Sequence, residues 1–363
     1  MSNSRISGQV RVVGAGLLGS SVGHALRARD IDVILEDASP SALTLAIDYG
    51  AGRRAEPGDT PALVVVAVPP DVTGATVAAE LAAWPDALVT DVASVKQLVL
   101  DELVALGVPI ERYLGSHPLA GRERGGPISA RADLFLGRPW VIAEHALTTG
   151  AQVRQLEDLV LDLGGVPITM TAQEHDRSVA LVSHTPQVVS SLLARRLADA
   201  PEGAIALAGQ GLRDTTRIAA SDPELWVQIL GANAPAVHEV LSAYRDDLDQ
   251  VIAALADPDA RGSRRAVAET IAGGNTGVAR IPGKHGQAKH FSQIVVMVDD
   301  SPGELARLLT EIGEFGVNME DLRLEHSPGA PIGLAEIAVL PEVEQSLLTQ
   351  LASRGWKIAG ALA

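Results

Sequence analysis

The chain of 363 residues contains no cysteine, which excludes a disulfide framework, a thiolate nucleophile and a thiolate-bound metal. No run of His, Asp and Glu has a zinc-ligand spacing such as His-Glu-x-x-His, so no metal site is expected. No apolar run approaches the roughly 20 residues needed to span a bilayer. The opening Met1-Ser2-Asn3-Ser4-Arg5-Ile6-Ser7 also lacks an apolar signal core, so a soluble, cytoplasmic protein is expected. Positive charge is scarce: the formal net charge of −16 disfavours nucleic acid or an anionic membrane surface as a partner. Any anionic small molecule must therefore be met by local arginines. Wholesale disorder is excluded by 47 % hydrophobic and 20 % charged residues, and the length calls for two or three domains.

What the sequence does carry begins with Val10-Arg11-Val12-Val13, a short apolar strand broken by Gly14-Ala15-Gly16-Leu17-Leu18-Gly19 into a helix reaching about Arg29. A lone Gly-x-Gly-x-x-Gly is weak, but strand, glycine turn and helix in this order form a dinucleotide-binding fingerprint. The first glycine permits the tight turn, the second admits the pyrophosphate, and the third lets the helix pack closely, with phosphate at the positive helix N-terminus. Asp37, beyond the strand Val33-Ile34-Leu35, would accept hydrogen bonds from the adenosine ribose, with Glu36 able to share that role; a carboxylate there repels a 2′-phosphate and favours NAD over NADP. Leu63 to Val68-Pro69, Ala87 to Asp91 and Trp140 to Ile142 read as further buried strands. Gly14, Gly16, Leu17, Leu18, Gly19, Asp37, Val68, Pro69 and Ser94 are the candidate cofactor contacts. Apolar strands separated by helical stretches imply an α/β domain over residues 1–167, a Rossmann-type, doubly wound parallel sheet.

Residues 168–272 read as all-helical. Thr171 and Glu174 have capping-box spacing, and Ser221 to Glu224 repeats the signal. Apolar positions at Val237, Val240, Leu241, Tyr244, Leu248, Val251, Ile252 and Leu255 trace one face of a long helix. That stripe serves either an internal core or a homodimer interface. A glycine-rich linker is expected over 273–289. Residues 290–363 then give strand, helix, two strands, helix and strand, the order of a ferredoxin-like unit.

The candidate base is His117, in the polar, glycine-rich segment Gly115 to Gly126, read as a loop. Imidazole titrates near neutral pH and can take a hydroxyl proton while hydride leaves the same carbon. Ser94 follows the fourth strand, where ligands bind such sheets, and serves either a ligand or as a helix N-cap; Lys96 beside it is read as solvated. On the helix after Thr171, the spacing i, i+4, i+7, i+11 aligns Asp176, Ala180, Ser183 and Gln187, with His184 adjacent. The opposite face, Val179, Val182, Val189 and Leu193, is the expected core side. Arg213 and Arg217 lie one turn apart if helical and are suited to a carboxylate.

Several longer motifs resemble the prephenate dehydrogenase family of tyrosine biosynthesis across nearly the whole chain. They are Thr90 to Lys96, His117-Pro118-Leu119-Ala120-Gly121-Arg122-Glu123, Leu134 to Trp140, His175-Asp176-Arg177, Ser183-His184-Thr185-Pro186 and Arg213 to Ala219. The resemblance implies NAD-dependent oxidative decarboxylation of prephenate to 4-hydroxyphenylpyruvate. His117 would deprotonate the ring hydroxyl and Ser94 orient it. Arg217, then Arg213, would hold a substrate carboxylate, and Glu123 would gate the pocket, with Ser183, His184 and Asp176 shaping it. Gln187 stands where some members carry a second histidine, and its neutral amide points to prephenate rather than the ammonium-bearing arogenate. An arogenate or dual-specificity (cyclohexadienyl) dehydrogenase is the alternative, and an NAD-binding amino-acid sensor without turnover is another. The C-terminal unit looks like an ACT domain, with Asp300, Pro302, Gly303 and Asn318 as candidate contacts for a tyrosine effector.

Overall fold

The computed structural model describes residues 4–121, 125–281, 291–326 and 332–362. The chain forms two compact units. One runs to Asp199 and resumes over Thr216–Tyr244; the other comprises Ala200–Thr215 and the chain from Arg245 onward.

The first unit starts as the glycine fingerprint requires. Its elements are β1 (Gln9–Val13), α1 (Leu17–Arg27), β2 (Val33–Glu36), α2 (Pro40–Asp48), β3 (Arg53–Arg54), β4 (Pro61–Val66), α3 (Pro70–Ala83), β5 (Leu88–Asp91) and α4 (Gln97–Ala105). The five strands lie parallel in the order β3-β2-β1-β4-β5. Successive strand side chains point to opposite faces, so β-branched runs bury both. Val10, Val12, Val33, Leu35, Leu63 and Val65 pack on one side, and Val64, Val66 and Val89 on the other. Arg11 interrupts the valines of β1 and is buried, with Nε 2.8 Å and Nη2 3.1 Å from the two carboxylate oxygens of Glu80.

Beyond β5 the chain builds a second sheet from β6 (Gly115–Pro118), β7 (Pro139–Glu144) and β8 (Val166–Thr171), with α5 (Gly150–Asp162) between the last two. The segment read as a loop around His117 is therefore the buried strand β6, paired antiparallel with β7 through His117↔Val141. Its polar character is satisfied inside: Ser116 Oγ donates to the Asp91 carbonyl at 2.9 Å and lies 3.1 Å from Thr90 Oγ1. Strand β8 crosses position 167.

The helical region follows as α6 (Ala172–Val179), a π-turn over Ala180–His184 and α7 (Thr185–Arg195). Thr171 and Glu174 form the expected reciprocal capping box. Next come α8 (Glu202–Ile205), α9 (Gln210–Thr216), a 3₁₀ turn at Arg217–Ala219, α10 (Pro223–Ala232), α11 (Ala234–Ala256) and α12 (Ser263–Val278). The periodicity from Val237 to Leu255 is borne out by α11, yet Leu248, Ile252 and Leu255 stay exposed. The linker expectation is corrected in part: Gly273, Gly274 and Gly277 lie within α12, whose backbone hydrogen bonds hold a helix that glycine only weakens. Residues 282–290 fall outside the described residues.

The C-terminal part contains β9 (Ser292–Asp299), α13 (Glu304–Glu314), β10 (Asp321–His326), β11 (Ile332–Val339), α14 (Pro341–Ser353) and β12 (Lys357–Leu362). These strands form an antiparallel sheet in the order β10-β11-β9-β12, and Ile294, Val296, Leu308, Ile337 and Leu347 make its core. Among the described residues no helix is long and apolar enough to cross a membrane.

The Arg11–Glu80 pair yields a stability prediction. Glu80→Ala leaves a guanidinium buried without its bidentate partner, since Glu36 stands 3.8 Å away, and the expected loss is about 3–5 kcal/mol. The double variant Arg11→Met, Glu80→Leu should lie within about 2 kcal/mol of the parent. Urea denaturation measures both; equal losses in the two would show that the pairing is irrelevant.

Candidate functional site

His117 sits next to a buried cluster of charges assembled by β5, β6 and the start of α4. Asp91 is fully buried and accepts hydrogen bonds from Tyr113 Oη at 2.7 Å and the Ala93 N–H at 2.9 Å, and it also contacts the Lys96 ammonium. Lys96 is therefore not solvated: its side chain is 1 % exposed. Burial draws its ammonium below the ordinary lysine value against the opposing pull of Asp91, and the same burial raises the Tyr113 phenol.

A second chain of contacts enters from α6. Asp176 accepts the backbone N–H groups of Lys96 and Gln97, each at 2.9 Å. It thereby caps α4, whose own N-cap residue, Lys96, makes no side-chain capping bond. Asp176 Oδ1 also lies 2.7 Å from His175 Nδ1, and His175 Nε2 lies 2.8 Å from His117 Nδ1. The two imidazoles meet edge to face, with ring centroids 5.0 Å apart. Burial, then the proximity of His175, Lys96 and His184, holds His117 well below the ordinary histidine value; burial likewise lowers His175. His117 is thus neutral at physiological pH, which is the state a base requires.

The helix face differs from its expected composition. The π-turn widens the backbone at Ala180–His184 and moves the register on, so that His184 takes the buried position while Ser183 is half-buried. Asp176, Ala180, His184 and Gln187 are buried, whereas Val182 is 64 % exposed and Leu193 37 % exposed. The predicted core side is therefore largely the exposed side; only Val179 is fully buried. His184 Nδ1 lies 3.1 Å from Asn233 Nδ2, which also donates to the Asp176 carbonyl at 2.8 Å, and its ring stands edge-on to Trp226. Burial pushes His184 down to about 4. Gln187 Nε2 lies 2.6 Å from Ser221 Oγ.

The β1–α1 turn is built on glycine. At Gly14, φ is +102° and an added Cβ would sit 2.3 Å from the Ala67 carbonyl; at Gly19 it would sit 1.9 Å from the Gly14 carbonyl. Those two glycines are required by the protein itself. Gly16 meets nothing within 4 Å and has an ordinary φ of −76°, so its lack of a side chain answers to no internal contact and leaves room at the N-terminus of α1. Leu17 and Leu18 are half-buried beside it, and Val68 and Pro69 form the adjoining β4–α3 turn. Asp37 accepts the Ala15 N–H at 2.6 Å and the Ser39 N–H at 2.7 Å; each oxygen retains a lone pair for a ribose hydroxyl. Ser94 is half-buried, and the N-cap of α4 is Lys96 instead.

The arginines divide. Arg217 opens the 3₁₀ turn that packs on α7 in the first unit, whereas Arg213 lies on α9 within the second unit. Both are exposed, and the backbone changes from α-helix to 3₁₀ between them. Glu123 lies outside the described residues. Sequence reading missed His175 and Asn233 as site residues and took Lys96 as solvated; the adjacency of His175 to Asp176 was the available signal.

A glycine turn between β1 and α1 of a parallel sheet, with a buried imidazole on β6, points to the class of dinucleotide-binding oxidoreductases. The comparisons narrow it. The model of the prephenate dehydrogenase nucleotide-binding domain matches residues 22–169, and that of the prephenate dehydrogenase dimerization domain matches 171–269. A probable prephenate dehydrogenase, NovF, of Streptomyces niveus is 36 % identical over 95 % of this chain and 98 % of its own length. A cyclohexadienyl dehydrogenase of Zymomonas mobilis is 32 % identical over 69 % of the chain and 89 % of its own length. The crystal structure of prephenate dehydrogenase from A. aeolicus, in complex with hydroxyphenyl propionate and NAD+, has a TM-score of 0.65 at 26 % identity, covering 76 % of this chain and 100 % of that one. The chain belongs to the prephenate dehydrogenase family.

Two predictions follow from this geometry. Gly16→Ala should fold with an unchanged Tm and lose NAD affinity by tenfold or more in fluorescence titration, while Gly14→Ala loses stability; undiminished affinity in Gly16→Ala would show that the turn is not the phosphate site. Because burial depresses His117, His175 and His184, the unfolded chain takes up protons first as pH falls from about 6.5, the ordinary histidine value. Stability is therefore full above that pH and declines toward about 4, the value for His184. Calorimetry at pH 7 and pH 5 should show the lower Tm at pH 5, and equal values would count against neutral burial of the three rings.

Proposed function

We propose that this chain catalyses the NAD-dependent oxidative decarboxylation of prephenate to 4-hydroxyphenylpyruvate. The observation that carries the reading is a buried His117 whose Nδ1 meets His175 and whose pKa burial lowers, leaving Nε2 for a hydroxyl proton. NAD on the β1–α1 turn would supply the hydride acceptor. His117 Nε2 takes up the ring hydroxyl proton as hydride leaves C4, and Ser94 orients that hydroxyl. When the ring carboxylate departs as carbon dioxide, the electron pair aromatises the ring and His117 returns the proton to the phenolic oxygen. Substrate, oxidant, product, carbon dioxide and reduced cofactor then balance with no proton left over.

Arg217 binds a substrate carboxylate, with Arg213 second and Glu123 at the entrance; Ser183, His184 and Gln187 line the pocket. Asp176 has both oxygens engaged by Lys96, Gln97 and His175, so it offers little to an ammonium. This supports prephenate over arogenate. The sequence-based division into nucleotide-binding, helical, linker and C-terminal segments is retained as a proposal, with a homodimer formed through the helical segment's exposed apolar faces. The C-terminal strand order β10-β11-β9-β12 supports a ferredoxin-like ACT unit. Asp300 and Ser301 border a cleft with Leu305 and Leu324, while Asn318 is exposed ahead of β10. Tyrosine is the proposed effector there, through Asp300, Pro302 and Gly303.

With NAD, the purified protein should raise the reduced-nicotinamide absorbance on prephenate and have a lower kcat/KM on arogenate. His117→Asn should lose roughly 10²–10⁴-fold in kcat with NAD affinity retained. In the same assay Asp300→Ala should relieve any inhibition by tyrosine. Absence of turnover on both substrates would overturn the enzymatic reading in favour of a sensor, and a preference for arogenate would overturn the assigned substrate.

A further inference from the structure

We propose that His175 and Asp176 are positioning residues which fix the tautomer of His117, so that its Nε2 lone pair, and not an N–H, faces the reacting hydroxyl. The inference rests on the reading of His117 as the base. It follows from counting protons along the chain of contacts. The Asp176 carboxylate only accepts, so His175 Nδ1, at 2.7 Å from it, carries the hydrogen. A neutral imidazole has one N–H, so His175 Nε2 bears a lone pair. At 2.8 Å that lone pair requires a hydrogen on His117 Nδ1, and His117 Nε2 is left as the acceptor.

The arrangement is held from outside the site. The Lys96 and Gln97 N–H groups fix both Asp176 oxygens, and the edge-to-face stacking, with ring planes 79° apart, fixes the His117 ring against His175. His175 is wholly buried, Asp176 is 5 % exposed and His117 9 %, so water does not compete for these contacts. The other ionisable groups around them are Lys96, Asp91 and Tyr113 from the β5 side and His184 from the π-turn. When His117 takes the ring proton, the resulting imidazolium donates through Nδ1 to His175 Nε2 with no rearrangement. The Asp176 charge two bonds further along favours that cation.

The test has one arm that does not depend on turnover. Selective 15N-histidine NMR of the full chain at pH 7.5, assigned with His117→Asn and His175→Gln, should show His117 protonated at Nδ1; protonation at Nε2 would overturn the proposal. In the kinetic arm, His175→Leu should lower kcat by about 10²-fold while KM for prephenate and for NAD stay within threefold. His175→Gln, whose amide can accept from His117 and donate to Asp176, should recover at least tenfold of that loss. Equal impairment of the two variants, or unchanged kcat in His175→Leu, would reduce His175 to a packing residue. Should the wild-type chain lack turnover on prephenate, the assigned reaction fails while the NMR arm still decides the tautomer.

Discussion

Three N–H groups from two elements converge on one carboxylate, and the site depends on that convergence. Asp176 belongs to α6, yet it supplies the anionic cap that α4 lacks. A carboxylate at a helix N-terminus is favoured by the exposed amides and the helix dipole. The cap fixes the backbone of Lys96, whose side chain meets Asp91 inside the protein, and Asp91 in turn holds Tyr113 just ahead of β6. Through His175 the same carboxylate reaches His117. Helix placement, burial of a charge pair and orientation of the His117 ring are therefore one linked arrangement. Hydrogen bonds to charged groups are worth about 1.5–3 kcal/mol each, but an unsatisfied partner costs as much.

Features encoded locally were legible in the sequence. The glycine turn, the capping box at Thr171 and Glu174, the long stripe of α11 and the order of the six C-terminal elements each rest on residues close together in the chain. Features that depend on distant partners were not. Gly115 to Pro118 reads as loop because three of its residues are small or polar, and only pairing with β7 and the Asp91 carbonyl makes it a buried strand. Lys96 reads as solvated because its counter-ion matters only once β5 and α4 are folded. The glycines of α12 read as linker because propensity is a weak prior that helical hydrogen bonding overrides.

The site was legible in type and incomplete in number. His117, Ser94 and the glycine turn were named as candidates from residue chemistry, but His175 was noticed only as part of a motif. Its role depends on an imidazole 58 positions away in the sequence. Burial then selects the neutral form of three histidines in a strongly acidic chain. A distant surplus of negative charge would favour their protonation, and the low-polarity surroundings outweigh it at close range.

The π-turn at Ala180–His184 makes the inner surface of this helix a matter of count as well as of kind. A single wide turn adds a residue without adding a turn, so everything after it is rotated by about 100° relative to an uninterrupted α-helix. Gln187 and Ser190 are buried on the far side of that turn. Losing one residue from the turn would alter no side chain beyond it and would still rotate both by about 100° relative to α6. Insertions and deletions here therefore change which side chains are buried at a distance, through the pitch of the backbone.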